Sequence, residues 1–479
     1  MEDIARLPSS TAKIMNDIAL KIYHRLPGSL RSMAANLRGY YLRSWRYGPE
    51  TEGLVAEALN REQWSPDQWK KWQEEQLAFV LHRAATQVPY YRAQWAERRR
   101  RGDSASWEYL ENWPVLKKEP LRQNPIDFVA DDRNVRRMYR ERTSGTSGTP
   151  LTLWLSKETL RAWFALCEAR LRRWHGVSLK DNWALLGGQS VVPPNTTQPP
   201  FWVWNAPMNQ LYLSANHISP KTASAFIDAL DQYNVTHLIV YPSSASVLAR
   251  EACQKNLMVK GIKVVITNAE PLLPWQRVCI GQGFSSEVRE TYGMAEIVAS
   301  ASECQNGSLH WWPEVGWVES LKDEANEPMP LGSPGRLICT SLLNTDMPLI
   351  RYEVGDRGNV TEEPTPCPCG RMLPVLAGIE GRTNDLLIAL DGRQVFWVNP
   401  VFYGLPVQEA QIIQESRKDL RVRYVPASNF TVATEGVIIR RLQERMGPIN
   451  VSMNQVSNIP RGENGKFRAV VCNIPSERG

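Results

Sequence analysis

Apolar positions recur along this chain with two periods, and the change from one to the other divides it into regions. Near the start, Ile14, Ile18 and Ile22 repeat every four residues beside Met15 and Ala19, which predicts an amphipathic helix. Its apolar stripe has two possible outlets, the protein's own core or a membrane interface. From Trp64 to Trp95 the helical period continues through Leu77, Phe79 and Leu81 to a proline-marked turn at Val88-Pro89-Tyr90-Tyr91. Short apolar runs then alternate with helical stretches: Trp183-Ala184-Leu185-Leu186 before Gly187-Gly188, Leu238-Ile239-Val240-Tyr241 before Pro242, and Val264-Val265-Ile266-Thr267. That alternation predicts β/α units around a largely parallel sheet.

Between Gly335 and Val360 the runs Leu337-Ile338-Cys339-Thr340 and Leu349-Ile350-Arg351-Tyr352 read as strands joined by tight turns, a β-rich subdomain. After Gly381-Arg382-Thr383-Asn384-Asp385 the chain enters a final segment of a size suited to a small α+β domain. The expected organisation is a basic helical segment at 1–60, a large domain at 61–381 and a small domain at 382–479. The predicted class is therefore α/β, with sheets, helices and a β-rich subdomain in the large domain.

A chain of 479 residues exceeds one core, and 43% hydrophobic with 22% charged residues is ordinary for a folded protein. The formal charge of +6, from 56 basic and 50 acidic residues, suits anionic small molecules or a membrane surface without requiring nucleic acid. Arg98-Arg99-Arg100-Arg101 lacks interleaved aromatics and reads as a solvated helix end or turn. The first 47 residues hold eight Lys/Arg against Glu2, Asp3 and Asp17. Eight dispersed cysteines, without a cleavable signal peptide or a long apolar run, predict a reducing cytoplasm, with membrane contact at most peripheral.

Candidate chemistry begins with Arg142-Thr143-Ser144-Gly145-Thr146-Ser147-Gly148-Thr149-Pro150. Its glycines let backbone approach a ligand, and its amides and hydroxyls suit phosphoryl oxygens, although such a run alone also fits a surface turn. Four motifs follow in order: Asn268-Ala269-Glu270-Pro271, Tyr292-Gly293-Met294-Ala295-Glu296, Arg351-Tyr352-Glu353-Val354-Gly355-Asp356 and Gly381-Arg382. Gly465-Lys466-Phe467-Arg468 closes the series. Each is weak alone; their order and spacing are informative.

This series resembles the adenylate-forming superfamily of acyl-CoA synthetases, luciferases and peptide-synthetase adenylation domains. Val88-Pro89-Tyr90-Tyr91, Trp113-Pro114-Val115-Leu116-Lys117-Lys118-Glu119, Tyr241-Pro242-Ser243-Ser244 and Cys367-Pro368-Cys369-Gly370-Arg371 are similar to its phenylacetate-CoA ligase-like and CapK-like members. The resemblance implies a large adenylate-forming domain with a small mobile C-terminal domain, and ATP-dependent activation of a carboxylic acid with pyrophosphate release. The acyl group would then pass to CoA or to an amine or hydroxyl.

By that resemblance Thr143, Ser144, Gly145, Thr146, Ser147 and Gly148 grip the β- and γ-phosphates, and Glu296 holds Mg2+. Tyr292 stacks on adenine beside Asn268, Ala269, Glu270, Gly293 and Met294, Asp356 and Arg382 take the ribose, and Lys466 reaches the reacting centre. Trp202, Trp204, Tyr212, Ser214, Tyr241, Ser243 and Ser244 are candidates for the acid pocket, and Gly392 to Phe396 resembles a thiol-tunnel loop. Two departures stand out: Thr149 and Leu151 flank Pro150 where many relatives carry a loop lysine, and Asn384 takes a hinge position usually held by Asp or Lys.

Cys304, His310, Cys367 and Cys369 supply three thiolates and an imidazole, the donor set of a structural zinc site. The other cysteines, Cys167, Cys253, Cys279, Cys339 and Cys472, read as small core residues. From a different class, the alternative function is a catalytically silent nucleotide-binding or membrane-associated assembly protein retaining the fold.

Overall fold

The computed structural model describes residues 20, 22–143, 150–189, 191–193, 195–322, 326–330, 332–360, 367–382, 387–391, 394–395, 399–402, 404–461 and 467–474. Ile14 and Ile18, the start of the predicted N-terminal stripe, lie outside them. The chain forms two units: one comprises 1–319, 338–353 and 361–376, the other 320–337, 354–360 and 377–479. The chain crosses from one to the other within each of four strands, β11 to β14 below.

The first unit opens with helices α1 (Gly28–Arg46), α2 (Thr51–Arg61), α3 (Pro66–Gln87) and α4 (Pro89–Arg100). A reciprocal cap starts α3: the Gln68 amide donates to Ser65 Oγ at 3.3 Å and the Ser65 amide to Gln68 Oε1 at 2.9 Å, with Pro66 in the first turn. Pro89 then opens α4 immediately after α3 ends. Trp69, Val80, Leu81 and Ala84 form the buried face of α3. Tyr91 on α4 is fully buried, and its hydroxyl donates to the Pro348 carbonyl at 3.2 Å while accepting from the Ile350 amide at 3.0 Å. Its ring lies edge-on to Trp113, as does that of Trp95, so part of the tryptophan content serves packing.

After a short helix α5 (Lys118–Gln123), strands β1 (Tyr139–Arg142) and β2 (Thr152–Leu155) form an antiparallel hairpin, followed by α6 (Lys157–Cys167). The central strands are β3 (Trp183–Gly187), β4 (Trp202–Asn205), β5 (Gln210–Ser214), β6 (His237–Val240), β7 (Val264–Thr267) and β8 (Glu287–Gly293). Their order is β8-β7-β6-β3-β5-β4, parallel throughout except for edge strand β4. Helices α7 (Ala223–Gln232), α8 (Pro242–Gln254) and α9 (Pro274–Phe284) belong to these β/α units. Phe226, Leu230, Leu238, Val240, Leu248, Val265, Ile280 and Phe284 form one buried cluster. Helices α8 and α9 approach closely: a Cβ on Gly283 would stand 2.5 Å from the Ala249 Cα and Cβ atoms.

Strand β8 continues antiparallel into β9 (Ser300–Glu303) and β10 (Leu309–Trp311). The crossing strands are β11 (Gly316–Leu321), β12 (Gly335–Ser341), β13 (Tyr352–Val360) and β14 (Val375–Arg382). The first residues of β14 pair with β10, setting His310 opposite Val375.

In the second unit, hairpin β15 (Leu387–Ile388) and β16 (Gln394–Val395) precedes β17 (Val407–Gln414), β18 (Asp419–Pro426), α10 (Val432–Met446), β19 (Asn450–Gln455) and β20 (Val470–Cys472). The four-stranded sheet has order β19-β18-β17-β20. Ile438, Leu442 and Met446 of α10 join Ile412, Leu420 and Val422 in its core, the α+β arrangement expected for the C-terminal segment. Among the described residues no helix is long and apolar enough to cross a membrane.

Candidate active site and metal centre

Because β5, β3, β6, β7 and β8 run parallel, their carboxyl ends share one rim, where open α/β sheets bind ligands. The ladder carries on past the strand ends: the Tyr241 amide donates to the Leu186 carbonyl and that of Asn268 to the Val240 carbonyl, both at 2.9 Å. Ser214, Gly187, Tyr241, Asn268 and Tyr292 thus stand at successive positions on that rim.

Three local features organise the Asn268–Glu270 turn. Ala269 takes a left-handed φ of 64°, a strained backbone of the kind concentrated at functional sites. Asn268 Oδ1 is buried without a hydrogen-bond partner among the described residues. Glu270 ties this turn to α8: its carboxylate accepts from the Ser243 amide at 3.0 Å and the Ser243 hydroxyl at 3.1 Å. The opening turn of α8 exposes amides with no helical partner, and an acidic side chain satisfies them. Tyr241 packs beside this turn, its phenol pushed up by burial, with the nearby Glu270 charge acting in the same direction.

Tyr292 meets Trp311 edge to face at 5.7 Å, and its carbonyl accepts from the Ser300 hydroxyl at 3.1 Å. Gly293 is exposed and Met294 half-buried. Glu296 is buried, and the Tyr352 phenol donates to its Oε1 at 2.9 Å. Ile297 behind it has a left-handed φ of 52°, so the turn that sets Glu296 is conformationally specified.

The glycine- and hydroxyl-rich loop sits on the β1–β2 hairpin. Thr143 closes its base, its amide donating to the Leu151 carbonyl at 3.1 Å and its Oγ1 accepting from the Leu151 amide at 2.9 Å. Among the described residues the Thr143 hydroxyl has no acceptor for its proton. Ser144, Gly145, Thr146, Ser147, Gly148, Asn384 and Lys466 lie outside the described residues. Arg382 ends β14, and Asp356 is half-buried on β13 in the second unit, following Gly355 with its left-handed φ of 84°.

Among the acid-pocket candidates, Ser244 is buried in the first turn of α8. Ser214 is buried, and its hydroxyl shares a 2.7 Å hydrogen bond with His217 Nδ1, whose ring stacks on Phe201. The sequence reading missed His217, although its place three residues beyond a strand end was visible. Trp204 is not brought to the rim. It pairs with Leu211 near the start of β5 and stacks on Tyr233 at 5.0 Å, because an edge strand must bury its inner face. Trp202 pairs with Leu213, beside the rim.

The four metal-site candidates do converge, with donor atoms all within 4.8 Å of one another. Cys304 and Cys367 sulfurs are 3.7 Å apart, too far for a disulfide and close to the roughly 3.8 Å edge of a tetrahedral dithiolate site with metal–sulfur bonds of about 2.3 Å. Cys369 Sγ and His310 Nε2 are 3.4 Å apart, near the roughly 3.6 Å expected for a sulfur–nitrogen edge. His310 Nδ1 lies 3.0 Å from the Leu373 carbonyl, which fixes the tautomer with Nε2 as the lone-pair donor. Gly307 and Gly370, with φ of 83° and 79°, let both cysteine turns fold tightly.

Beside the cluster, Arg371 stacks on Trp174 at 4.2 Å and donates to Glu62 at 3.0 Å. Glu62 also receives Arg170, whose guanidinium grips Glu314 through bonds of 2.7 and 2.8 Å. Of the remaining cysteines, Cys167 and Cys339 are buried and Cys279 and Cys472 half-buried, whereas Cys253 is exposed near the end of α8 rather than in the core.

Residues 393–473 match the CapK C-terminal domain family. Protein CapK of Staphylococcus aureus is 26% identical over 375 residues, covering 76% of this chain and 80% of that protein. Phenylacetate-coenzyme A ligase of Thermus thermophilus is 25% identical over 475 residues, covering 89% and 99%. The fold matches the crystal structure of 2-hydroxyisobutyryl-CoA ligase in its postadenylation state with R3-HIB-AMP, at TM-score 0.64 and 19% identity over 86% of this chain and 91% of that one. The motif order and the fold together define a member of the adenylate-forming superfamily. Within it the chain is similar to phenylacetate-CoA ligases and to Protein CapK.

Proposed function

We propose that the protein is an ATP-dependent, AMP-forming ligase that activates a carboxylic acid as its acyl-adenylate and passes the acyl group to CoA, an amine or a hydroxyl. The observation that carries this reading is the shared rim, which collects the Asn268 and Tyr292 turns with Tyr241 and Ser243 at the ends of parallel strands. In the first step a carboxylate oxygen attacks the α-phosphorus. The bond to the bridging oxygen breaks, and pyrophosphate leaves with the electron pair. In the second, the acceptor attacks the acyl carbon and AMP departs.

Both reactants in the first step are anions, so the site must position them and neutralise charge. Asn268 Oδ1, a buried acceptor, suits the amino group of adenine, and Tyr292 offers a ring to stack against it. Thr143 and the loop residues 144–148 donate to the phosphates. Glu296, oriented by Tyr352, suits Mg2+, which supplies charge neutralisation at the phosphates. Asp356 and Arg382 serve the ribose, and Lys466 serves the reacting oxygens. With Thr149 and Leu151 in place of a loop lysine, Lys466 supplies the main cationic contribution.

The Cys304, His310, Cys367 and Cys369 cluster suits a structural Zn2+, supported by its closed donor set and tetrahedral edges. All four positions are protein ligands, so it braces the fold rather than activating water.

The reading is tested by acid-dependent pyrophosphate release across a panel of carboxylic acids, with and without CoA and amine acceptors. Lys466→Ala should lower release by roughly a hundredfold or more. Unchanged release in that variant would remove Lys466 from the mechanism, and no release with any acid would remove the ligase reading.

A further inference from the structure

Thirteen large apolar side chains are exposed among the described residues, and seven of them fall between Leu20 and Tyr41, so these form a patch rather than a scatter. Most belong to α1. The inner face of that helix is fixed to the body: Gly39 lies against Asn205, Leu42 is buried, the Ala206 amide donates to Asn36 Oδ1 at 2.9 Å, and Arg43 donates to the Pro207 carbonyl at 2.6 Å. Leu30, Met33, Leu37, Tyr40 and Tyr41 recur at three- and four-residue spacing on the other side. Leu37 and Tyr40 are 65% and 66% exposed, far beyond what a residue at the margin of the core shows. At 1.5 Å per residue this stripe runs roughly 16 Å.

Charge decides what covers it. Residues 20–46 carry Lys21, Arg25, Arg31, Arg38, Arg43 and Arg46 and no Asp or Glu. A second copy of this chain would bring the same exposed cations, Arg25 and Arg38, to a symmetric contact, and like charges at an interface disfavour it. An anionic bilayer offers both components the helix needs, headgroup phosphates for the arginines and an acyl boundary for the leucines and methionine, with tyrosines at the interface between them.

We infer that α1 is an in-plane docking helix for an anionic lipid surface, which seats the protein peripherally through Leu30, Met33, Leu37, Tyr40 and Tyr41 with Arg25 and Arg38 beside them. The inference stands on surface geometry and charge, independently of the ligase reading. A membrane-seated ligase of this kind would meet acids or acceptors that are themselves held at the lipid surface.

The test is flotation of the full chain with vesicles of phosphatidylcholine alone and with added phosphatidylglycerol, at low and high salt. Binding should require phosphatidylglycerol, weaken with salt, and fall by at least about tenfold in Leu37→Glu/Tyr40→Glu and in Arg25→Glu/Arg38→Glu. Both variants change exposed positions, so their thermal melts and vesicle-free pyrophosphate release should match the parent. Absent or salt-insensitive vesicle binding, or undiminished binding by both folded variants, would overturn the proposal. So would a parent dimer in sedimentation that Leu37→Glu/Tyr40→Glu dissociates while vesicles bind neither form.

Discussion

Removing zinc from the cysteine–histidine cluster should loosen the first unit by a measurable amount. The two observed edges, 3.7 and 3.4 Å, are within about 0.2 Å of a zinc tetrahedron, so binding requires little rearrangement. If free zinc stands at about a thousand times its dissociation constant, binding stabilises the folded unit by roughly 4 kcal/mol. The unit has about 350 residues, and at about 2 cal/mol/K of unfolding entropy per residue that corresponds to a melting shift of roughly 5–6 °C. Protein purified without chelators should carry about one zinc per chain by elemental analysis. Chelation, or Cys367→Ser, should lower the melt by this amount, and Cys253→Ser, at an exposed thiol, should leave it unchanged. Hydrogen exchange should rise first around 304–310 and 367–373 and then at Glu62 and Trp174, which Arg371 ties to the cluster. Protein free of zinc whose melt ignores both chelator and added zinc would rule out a structural metal at this cluster.

Two further outcomes follow from buried charge. Arg170 is fully buried between Glu314 and Glu62, so Arg170→Met strands the Glu314 carboxylate, while Glu62 keeps Arg371, and should cost about 3–5 kcal/mol in urea unfolding; a loss below about 1 kcal/mol would contradict that role. His237 is held neutral, its pKa driven down to about 2 by burial and then by the Arg172 and Lys263 charges, with Arg172 Nε donating to its Nε2 at 3.2 Å. The unfolded chain binds that proton below about pH 6.5 and the folded chain does not, so stability is present above that pH and is lost as pH falls, by up to about 1.4 kcal/mol per unit. His237→Gln keeps an acceptor for Arg172 and should flatten the slope between pH 6.5 and 5; an identical slope would exclude His237 as its source.

Much of the candidate site's strand rim was legible because it is written locally. The strand runs before Gly187, Pro242 and Asn268 are apolar, short and followed by turn residues, and each became a parallel strand whose end lies on the rim. The cysteine and histidine donors were readable by residue type, although Cys304 and Cys367 are 63 positions apart and meet only because β10 pairs with the start of β14. The contacts of Glu270 with Ser243 and of Trp204 with Tyr233 were not legible in the same way. Nothing near Glu270 in the chain announces that the first turn of α8 will lie beside it, and nothing near Trp204 announces Tyr233.

The chain's local pattern was enough for the order of the motifs, the α/β alternation, the α+β character of the C-terminal segment and the donor types available for phosphate and metal. These depend on hydrophobic period, turn chemistry and side-chain identity, which act over a few residues. Tertiary packing was needed to bring Tyr352 to Glu296 and Ser214 to His217, and to draw the four cysteine and histidine donors within 4.8 Å of one another. It also decided that α1 would bury Gly39 and Leu42 while leaving Leu37 and Tyr40 outside. Each of these depends on which distant segment arrives alongside, and long-range packing settles that rather than the period of any one helix or strand.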